Sequence, residues 1–326
     1  MQVPVAVATP EGTPVNGLEA PDFQVFDDGR PQRATVDTID TGVAPIALVV
    51  AVQSSGISAP AIEKVRRIGA MIQPMVTGER GCAGVITFGD RIQWLTKCTK
   101  DADVLEHAFG LLHAGFGKTG RMLDAVSAAV AELRGKTDVR RIVLLISETR
   151  DRGSESTLDA TVVAAQSAGV TVYAAPYSAF REAFTSKAPV AGPKKSSKPQ
   201  TPVDIQRDTM GTANGAPPSK YNPKIGTAEQ RVDILSTLGE LAQINRVNTV
   251  EVLTRGTGGT ALPFTREKAL QTAVRSLGDE LHNQYVLSFA PEAGPAGYHR
   301  IEVRVTRRGE YRIRARPGYW SGDDAR

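Results

Sequence analysis

The 326-residue chain contains few of the residues that most often carry enzymatic or metal chemistry, with only 2 cysteines and 4 histidines. Aromatic residues make up 6% of it, and no stretch approaches the ~18 consecutive apolar residues of a membrane-spanning helix. The formal net charge is +4, but the basic residues are spread along the chain and form no single patch. We therefore predict no nucleic-acid partner and no membrane span. The length suggests about two domains.

The histidines and serines lack the spacing of a catalytic or zinc site. His107 and His113 are six residues apart on one predicted helix, whereas zinc-binding helices place two histidines four residues apart. Ser54 and Ser55 follow a predicted strand, but Gly-x-Ser-x-Gly is absent and no histidine follows in a matching context. We expect the protein not to be an enzyme. A serine hydrolase stays a remote alternative.

The two cysteines lie in neighbouring strand-like runs, 82–88 and 92–97. A hairpin folded about Asp90 would place Cys82 opposite Cys98, and directly opposed Cβ atoms lie ~4.5–5.5 Å apart. A disulfide is then feasible, and two reduced, buried thiols are the alternative. If the bond forms, it indicates an oxidising, extracytoplasmic compartment. The chain as given shows no charged and apolar signal segment before its first strand, and a removed signal peptide would leave no trace in it.

Apolar strands alternate with helices from about residue 46 to residue 177, the pattern of a parallel sheet covered on both faces. The predicted strands are 46–52, 82–88, 92–97, 141–147 and 170–176. The predicted helices are 59–76, 101–113, 120–134 and 156–168. A proline- and lysine-rich insertion at 185–227 predicts disorder, and helical periodicity returns around 234–244.

Both ends of the chain are rich in predicted strands. Residues 1–43 precede the alternating region, and strands 284–290, 299–306 and 310–316 follow a helix at 266–282. Neither end has enough strands to be stable alone, so we expect the two to meet in one small β-sandwich. The predicted domains are 1–43, 44–283 with its insertion, and 284–326. Arg304, Arg312, Arg314 and Arg316 alternate along the last strands and are expected on a solvent-exposed face.

Several motifs together resemble one family. The run from Pro45 to Ser58 resembles the first strand and metal loop of a von Willebrand factor A domain. The segments 22–29, 281–291 and 314–320 resemble the flanks of the VWFA-related proteins of the acidobacterial type. The resemblance covers nearly the whole chain. It implies a Rossmann-like A domain, a β-sandwich built from both termini, and an exported bacterial protein that binds or adheres to other proteins.

In such A domains, oxygen ligands at the C-terminal ends of the sheet's strands, here called the sheet edge, hold a divalent cation. This cation binds a carboxylate of the partner. The family's Asp-x-Ser-x-Ser corresponds here to Gln53, Ser55 and Ile57, so a neutral amide replaces the carboxylate and one hydroxyl is missing. The family's threonine corresponds to Gly120, with Thr119 one place early, and the last acid corresponds to Glu148.

The resemblance therefore implies a degenerate metal-ion-dependent adhesion site. We predict a non-catalytic protein-binding module that uses no cofactor and whose partner is a protein of unknown identity. The alternative is Mg²⁺-dependent adhesion with a rearranged ligand set. In that case Ser55 and Glu148 would bind the ion, with Thr119 or Asp151 as substitute ligands.

Overall fold

The computed structural model describes residues 1–37, 45–57, 59–115, 117, 119–177, 248–262, 267–291 and 296–321. The predicted insertion at 185–227 and the periodic segment at 234–244 lie outside these residues. Among the helices of the described part, none is both long and apolar enough to cross a membrane.

The described part of the N-terminal flank, residues 1–37, forms four strands. They are β1 (Gln2–Ala8), β2 (Phe23–Asp27), β3 (Arg30–Gln32) and β4 (Thr35–Asp37). The hairpin between β2 and β3 turns through Asp28 and Gly29, which both have positive φ, at 50° and 79°. Positive φ at both central residues is typical of the tight two-residue turn that matches the twist of the paired strands.

A five-stranded sheet forms the centre of the molecule. Its strands are β5 (Ile46–Gln53), β6 (Cys82–Phe88), β7 (Ile92–Thr99), β8 (Arg140–Ser147) and β9 (Val170–Pro176). The strand order is β7-β6-β5-β8-β9, and only the β6–β7 pairing is antiparallel. Every residue of β5 is buried, as expected for a strand covered on both faces.

Helices cover both faces of this sheet. In chain order the described helices are α1 (Ala59–Arg66), α2 (Gly69–Ile72), α3 (Ala102–Gly110), α4 (Met122–Arg134), α5 (Leu158–Ser167), α6 (Thr249–Thr257) and α7 (Glu267–Asn283). Alternate β5 residues face opposite layers, with Leu48 and Val50 towards α1, α2, α3 and α7. Ala47 and Val49 face α4, α5 and α6. The predicted helix at 59–76 is wrong as one element, since α1 ends at Arg66 and a π-helical turn occupies Gln73–Thr77.

The two ends of the chain meet in a β-sandwich. The C-terminal strands are β10 (Tyr285–Ser288), β11 (Gly297–Val305), β12 (Arg312–Ala315) and β13 (Gly318–Ser321). They interleave with the N-terminal strands in two four-stranded sheets, ordered β12-β1-β10-β4 and β13-β11-β2-β3. The apolar core between the sheets includes Val3, Val5, Phe23, Leu287 and Tyr319. The predicted fold class, an A-type α/β domain with a sandwich from both termini, is confirmed.

The β6–β7 hairpin departs from the constant register predicted for it. Near the turn Phe88 pairs with Ile92 and Ile86 with Trp94, as a fold about Asp90 requires. Further along, two irregularities each place an extra β7 residue against β6, and Ala83 pairs with Thr99. Cys82 and Cys98 are therefore not directly opposed. They are nevertheless joined by a disulfide, with 5.3 Å between their Cα atoms.

The C-terminal arginines do not all face solvent as predicted. Arg316 is only 5% exposed and donates to the carbonyl oxygen of Gln166 on α5, at 2.9 Å. Its burial lowers its pKa to about 10, so the guanidinium keeps its charge at neutral pH. Arg314 pairs with Glu280 on α7. The prediction is wrong for Arg316 because this stretch of the sandwich packs against the α/β domain.

Candidate functional site at the sheet edge

The carboxyl ends of β5 and β8 bring together the predicted positions Gln53, Ser55, Gly120 and Glu148. Ser55 bridges to Gly115 as an isolated parallel pair, and Gly120 bridges to Arg152 as an antiparallel pair. The main chains of Gly120 and Arg152 exchange two hydrogen bonds, at 2.8 and 3.0 Å. We call Gln53, Ser55, Gly120, Glu148 and Arg152 the edge network.

The Gln53 amide ties two loops of this edge together. Its side chain is buried, its Oε1 accepts from the backbone N–H of Glu148 at 3.0 Å, and its Nε2 donates to the carbonyl oxygen of Ser55 at 2.9 Å. A carboxylate could make the first bond but not the second, because it has no donor. A Cβ at position 120 would lie 3.0 Å from the Gln53 Nε2 atom, so Gly120 leaves room for the amide.

The hydroxyl groups near the edge are engaged elsewhere. The Ser55 hydroxyl donates to the carbonyl oxygen of Thr119. The Thr119 hydroxyl donates to the carboxylate of Asp90, which also accepts from the Thr119 backbone N–H at 3.3 Å. Ile57 is 7% exposed and belongs to the apolar core below the edge. Of the proposed ligands and substitutes, the structure gathers Ser55 and Glu148 beside Gln53 but turns the Thr119 hydroxyl to Asp90.

The two acidic positions after β8 also have partners. Arg152 forms an ion pair with Glu148, whose side chain is 14% exposed. Asp151 accepts from the backbone N–H of Leu123 at 3.1 Å and from the hydroxyl of Ser154 at 2.6 Å. Asp151 thus accepts a hydrogen bond from the first turn of α4, where backbone N–H groups have no partner within the helix.

Sequence reasoning missed a second ionic group beside this edge. Asp124, in the first turn of α4, accepts from Arg121 Nε at 2.7 Å and from the backbone N–H groups of Glu155 and Ser156 at 3.0 and 2.8 Å. Burial alone would raise the pKa of Asp124, but these bonds from Ser156, Glu155 and Arg121 outweigh it and lower the pKa to about 2. The signal available in the sequence was an acid in a helix first turn preceded by an arginine.

The residues of the edge do not fit a Mg²⁺ ion in this arrangement. Mg²⁺ requires near-octahedral oxygen ligands, usually with one or two carboxylates. Here the amide nitrogen of Gln53 faces the Ser55 carbonyl, Ile57 offers no donor atom, and Arg152 neutralises Glu148. A cation would have to displace this ion pair.

Among the described residues, both serine hydroxyls of the pair contact main-chain carbonyl oxygens. The Ser54 hydroxyl donates to the carbonyl oxygen of Phe88 at 3.1 Å, and the Ser55 hydroxyl donates to that of Thr119. A nucleophilic serine instead needs its hydroxyl within hydrogen-bond reach of a base. These contacts favour a structural role for both serines.

Comparisons with known proteins bear on the fold only. No protein-family model matches the chain, and no curated protein matches it. Among solved structures it is similar to an aerotolerance-related membrane protein from Bacteroides fragilis, at 14% identity and a TM-score of 0.41, covering 72% of this chain and 98% of that one.

Two further solved structures contain von Willebrand-type domains. One is the vWF domain of the pilus tip protein Mfa5 from Porphyromonas gingivalis, at 18% identity and a TM-score of 0.29, covering 32% of this chain and 38% of that one. The other is proximal thread matrix protein 1 of the mussel byssus, at 14% identity and a TM-score of 0.36, covering 41% of this chain and 38% of that one. Such values carry no argument about function, and the fold rests on the strand order described above.

Proposed function

We propose that the chain is a non-catalytic, exported protein-binding module whose sheet-edge loops contact a protein partner without a metal cofactor. The observation that carries the proposal is the Gln53 amide, which joins the Ser55 and Glu148 loops by hydrogen bonds. In the A domains that the sequence resembles, a bound cation and its oxygen ligands lie between these loops. An amide with both a donor and an acceptor can hold the same loops in place without an ion.

Exposed arginines on the edge indicate the chemistry of the partner. Arg91 follows β6 and Arg150 follows β8, and both are exposed. Guanidinium groups bind carboxylates through two parallel hydrogen bonds, so they recognise acidic side chains without a cation. We therefore expect the partner surface to be acidic. Open α/β sheets bind their ligands at this edge.

The disulfide supports an extracytoplasmic location. Cys82 and Cys98 are joined, and such bonds persist in oxidising compartments rather than in the cytosol.

The binding proposal is tested by selecting acidic peptides from a displayed library against the full chain in the presence of chelator. The dissociation constant of the selected peptide is then measured for the wild type, for the Arg91→Glu/Arg150→Glu variant and for Arg134→Glu. Arg134 is exposed at the C-terminal end of α4, away from the edge, and serves as the matched control. Thermal midpoints verify that all three proteins fold.

We expect the double variant to weaken binding at least ~10-fold, since exposed charge pairs contribute about 0.2–1 kcal/mol each and like charges add repulsion. Arg134→Glu should change little, and 10 mM Mg²⁺ should not tighten binding. Binding that requires Mg²⁺ would favour the metal-dependent alternative. Failure to select any peptide, or equal binding by all three proteins, would count against the edge as the contact surface.

A further inference from the structure

One end of the β-sandwich carries a cluster of Asp27, Asp28 and His299, here called the sandwich cluster. One ligand-type atom from each residue lies within 4.8 Å of the other two. Asp27 ends β2, Asp28 begins the tight turn, and His299 lies on the neighbouring strand β11. Asp27 pairs in register with Ile301, two residues from His299, so both side chains point to the same inner face.

One carboxylate oxygen in this cluster is buried without a hydrogen bond. Asp27 is 7% exposed, and its Oδ1 has no hydrogen-bond partner among the residues that the structure describes. This oxygen lies 4.0 Å from His299 Nδ1, and His299 is itself 6% exposed. A buried carboxylate oxygen without a hydrogen bond is costly, and a cation bound beside it would offset that cost.

The remaining polar atoms of the three residues are held by their surroundings. The Tyr319 hydroxyl donates to Asp27 Oδ2 at 2.8 Å, the Arg300 backbone N–H donates to Asp28 Oδ1 at 2.8 Å, and His299 Nε2 lies 2.7 Å from the Ser321 hydroxyl.

This arrangement brings Asp27 Oδ1, Asp28 Oδ2 and His299 Nδ1 together, and a bound metal ion would replace the direct contact of His299 Nδ1 with Asp28 Oδ2 at 2.9 Å. Metal-binding histidines are usually oriented by a hydrogen bond at the other ring nitrogen, and metal-binding carboxylates by a second donor. Each of the three residues has such a support, from Ser321, Tyr319 and Arg300.

We propose that the sandwich cluster binds one divalent transition-metal ion through Asp27, Asp28 and His299. A set of one imidazole and two carboxylates suits Zn²⁺ or a similar first-row ion, and water would complete the coordination. Two ligand atoms on tetrahedral Zn²⁺ lie roughly 3.3 Å apart, as ligand distances of ~2.0–2.1 Å require. The distances from His299 Nδ1 to Asp28 Oδ2 and Asp27 Oδ1, at 2.9 and 4.0 Å, lie on either side of that value.

The site would join the two ends of the chain. Asp27 and Asp28 belong to the N-terminal flank, and His299 to the C-terminal flank. An ion at this point would fasten β2 to β11 in addition to their backbone pairing. The site is independent of the sheet edge and requires no binding partner.

The test is calorimetric titration of Zn²⁺ alone into the full chain, prepared without a histidine tag and freed of metal by chelator. The variants are Asp27→Asn, His299→Gln and Asp28→Asn, with His113→Gln as the matched control because His113 is exposed on the α/β domain. Asp28 is half-exposed and Asn keeps its Oδ1 acceptor, so this variant preserves the fold. Replacement of Zn²⁺ by Co²⁺ gives a visible absorption band that reports coordination geometry.

We expect one Zn²⁺ per chain, a rise in Tm of about 5 °C at a hundredfold excess over Kd, and affinity at least ~10-fold weaker in all three cluster variants. His113→Gln should bind as the wild type does. The absence of saturable binding, or equal affinity in Asp28→Asn and the wild type, would overturn the site. In either case peptide binding at the sheet edge would be unaffected.

Discussion

The edge network and the sandwich cluster both gather acidic or amide side chains at the end of paired strands, but they differ in how their polar atoms are satisfied. At the sheet edge, Gln53 bonds at both ends of its amide and Glu148 is paired with Arg152. In the sandwich, one buried oxygen of Asp27 has no hydrogen-bond partner among the described residues, and His299 Nδ1 lies 4.0 Å from it. The region that resembles a metal site satisfies its polar side chains internally, whereas the region with no such resemblance leaves one carboxylate oxygen without a hydrogen bond.

This difference lies in the chemistry of the folded chain rather than in a resemblance of its sequence. A site is defined by which donors and acceptors remain unsatisfied once the chain has folded. At the edge the polar groups are matched locally, because glycine at 120 leaves room for the Gln53 amide and Arg152 pairs with Glu148.

The largest difference between the two regions is expected from Gln53→Leu, which removes both hydrogen bonds of the side-chain amide. The Glu148 N–H and the Ser55 carbonyl would then lose their partner, and an unpaired buried polar group costs ~1–3 kcal/mol. We expect the free energy of unfolding to fall by about 2–4 kcal/mol in urea denaturation. Gln93→Leu, on the exposed face of β7, is the control and should stay within about 0.5 kcal/mol. Equal effects of the two changes would show that the amide does not hold the edge.

A smaller effect is expected from Asp124→Asn, which tests whether the charges beside the edge are satisfied. The pKa of Asp124 falls from 3.8 to about 2 on folding, so its carboxylate stabilises the folded chain above pH ~4. That contribution is lost as the pH falls from about 4 towards 2. We expect Asn to cost about 1 kcal/mol at pH 7, since water screens part of the Arg121 pair.

The measurement is urea denaturation of both proteins at pH 7, 5, 3 and 2.5. The difference between them should be constant from pH 7 to 5 and should shrink at the lower values. Glu106→Gln, exposed on α3, should show a smaller difference throughout. A difference that grows on acidification would contradict the depressed pKa.

The sequence predicts the fold well because its signals are local. Continuous apolar runs predicted β5, β8 and β9 to within a residue or two. The break after Arg66 and the extra residues in β7 were not predicted, because tertiary packing and bulges leave no periodic signature.

The sandwich cluster could not be predicted from the sequence for a related reason. Its histidine and aspartates are some 270 positions apart and meet only through the β2–β11 pairing, whose register no local pattern specifies. His299 considered alone is one of four scattered histidines. At the edge, by contrast, the parallel strands place Gln53 and Glu148 side by side once the sheet order is known.

The smallest expected effect comes from Asp27→Asn measured in chelator. Asn keeps an acceptor for the Tyr319 hydroxyl and removes the charge of a carboxylate whose other oxygen has no partner. The metal-free protein should therefore change by no more than about 0.5 kcal/mol in urea denaturation, although the same change should weaken Zn²⁺ binding. Asp27→Ala also removes the Tyr319 acceptor and should cost more, about 1–3 kcal/mol. A loss above ~2 kcal/mol in Asp27→Asn would mean that the carboxylate is already neutralised without metal, and the contrast with the edge network would disappear.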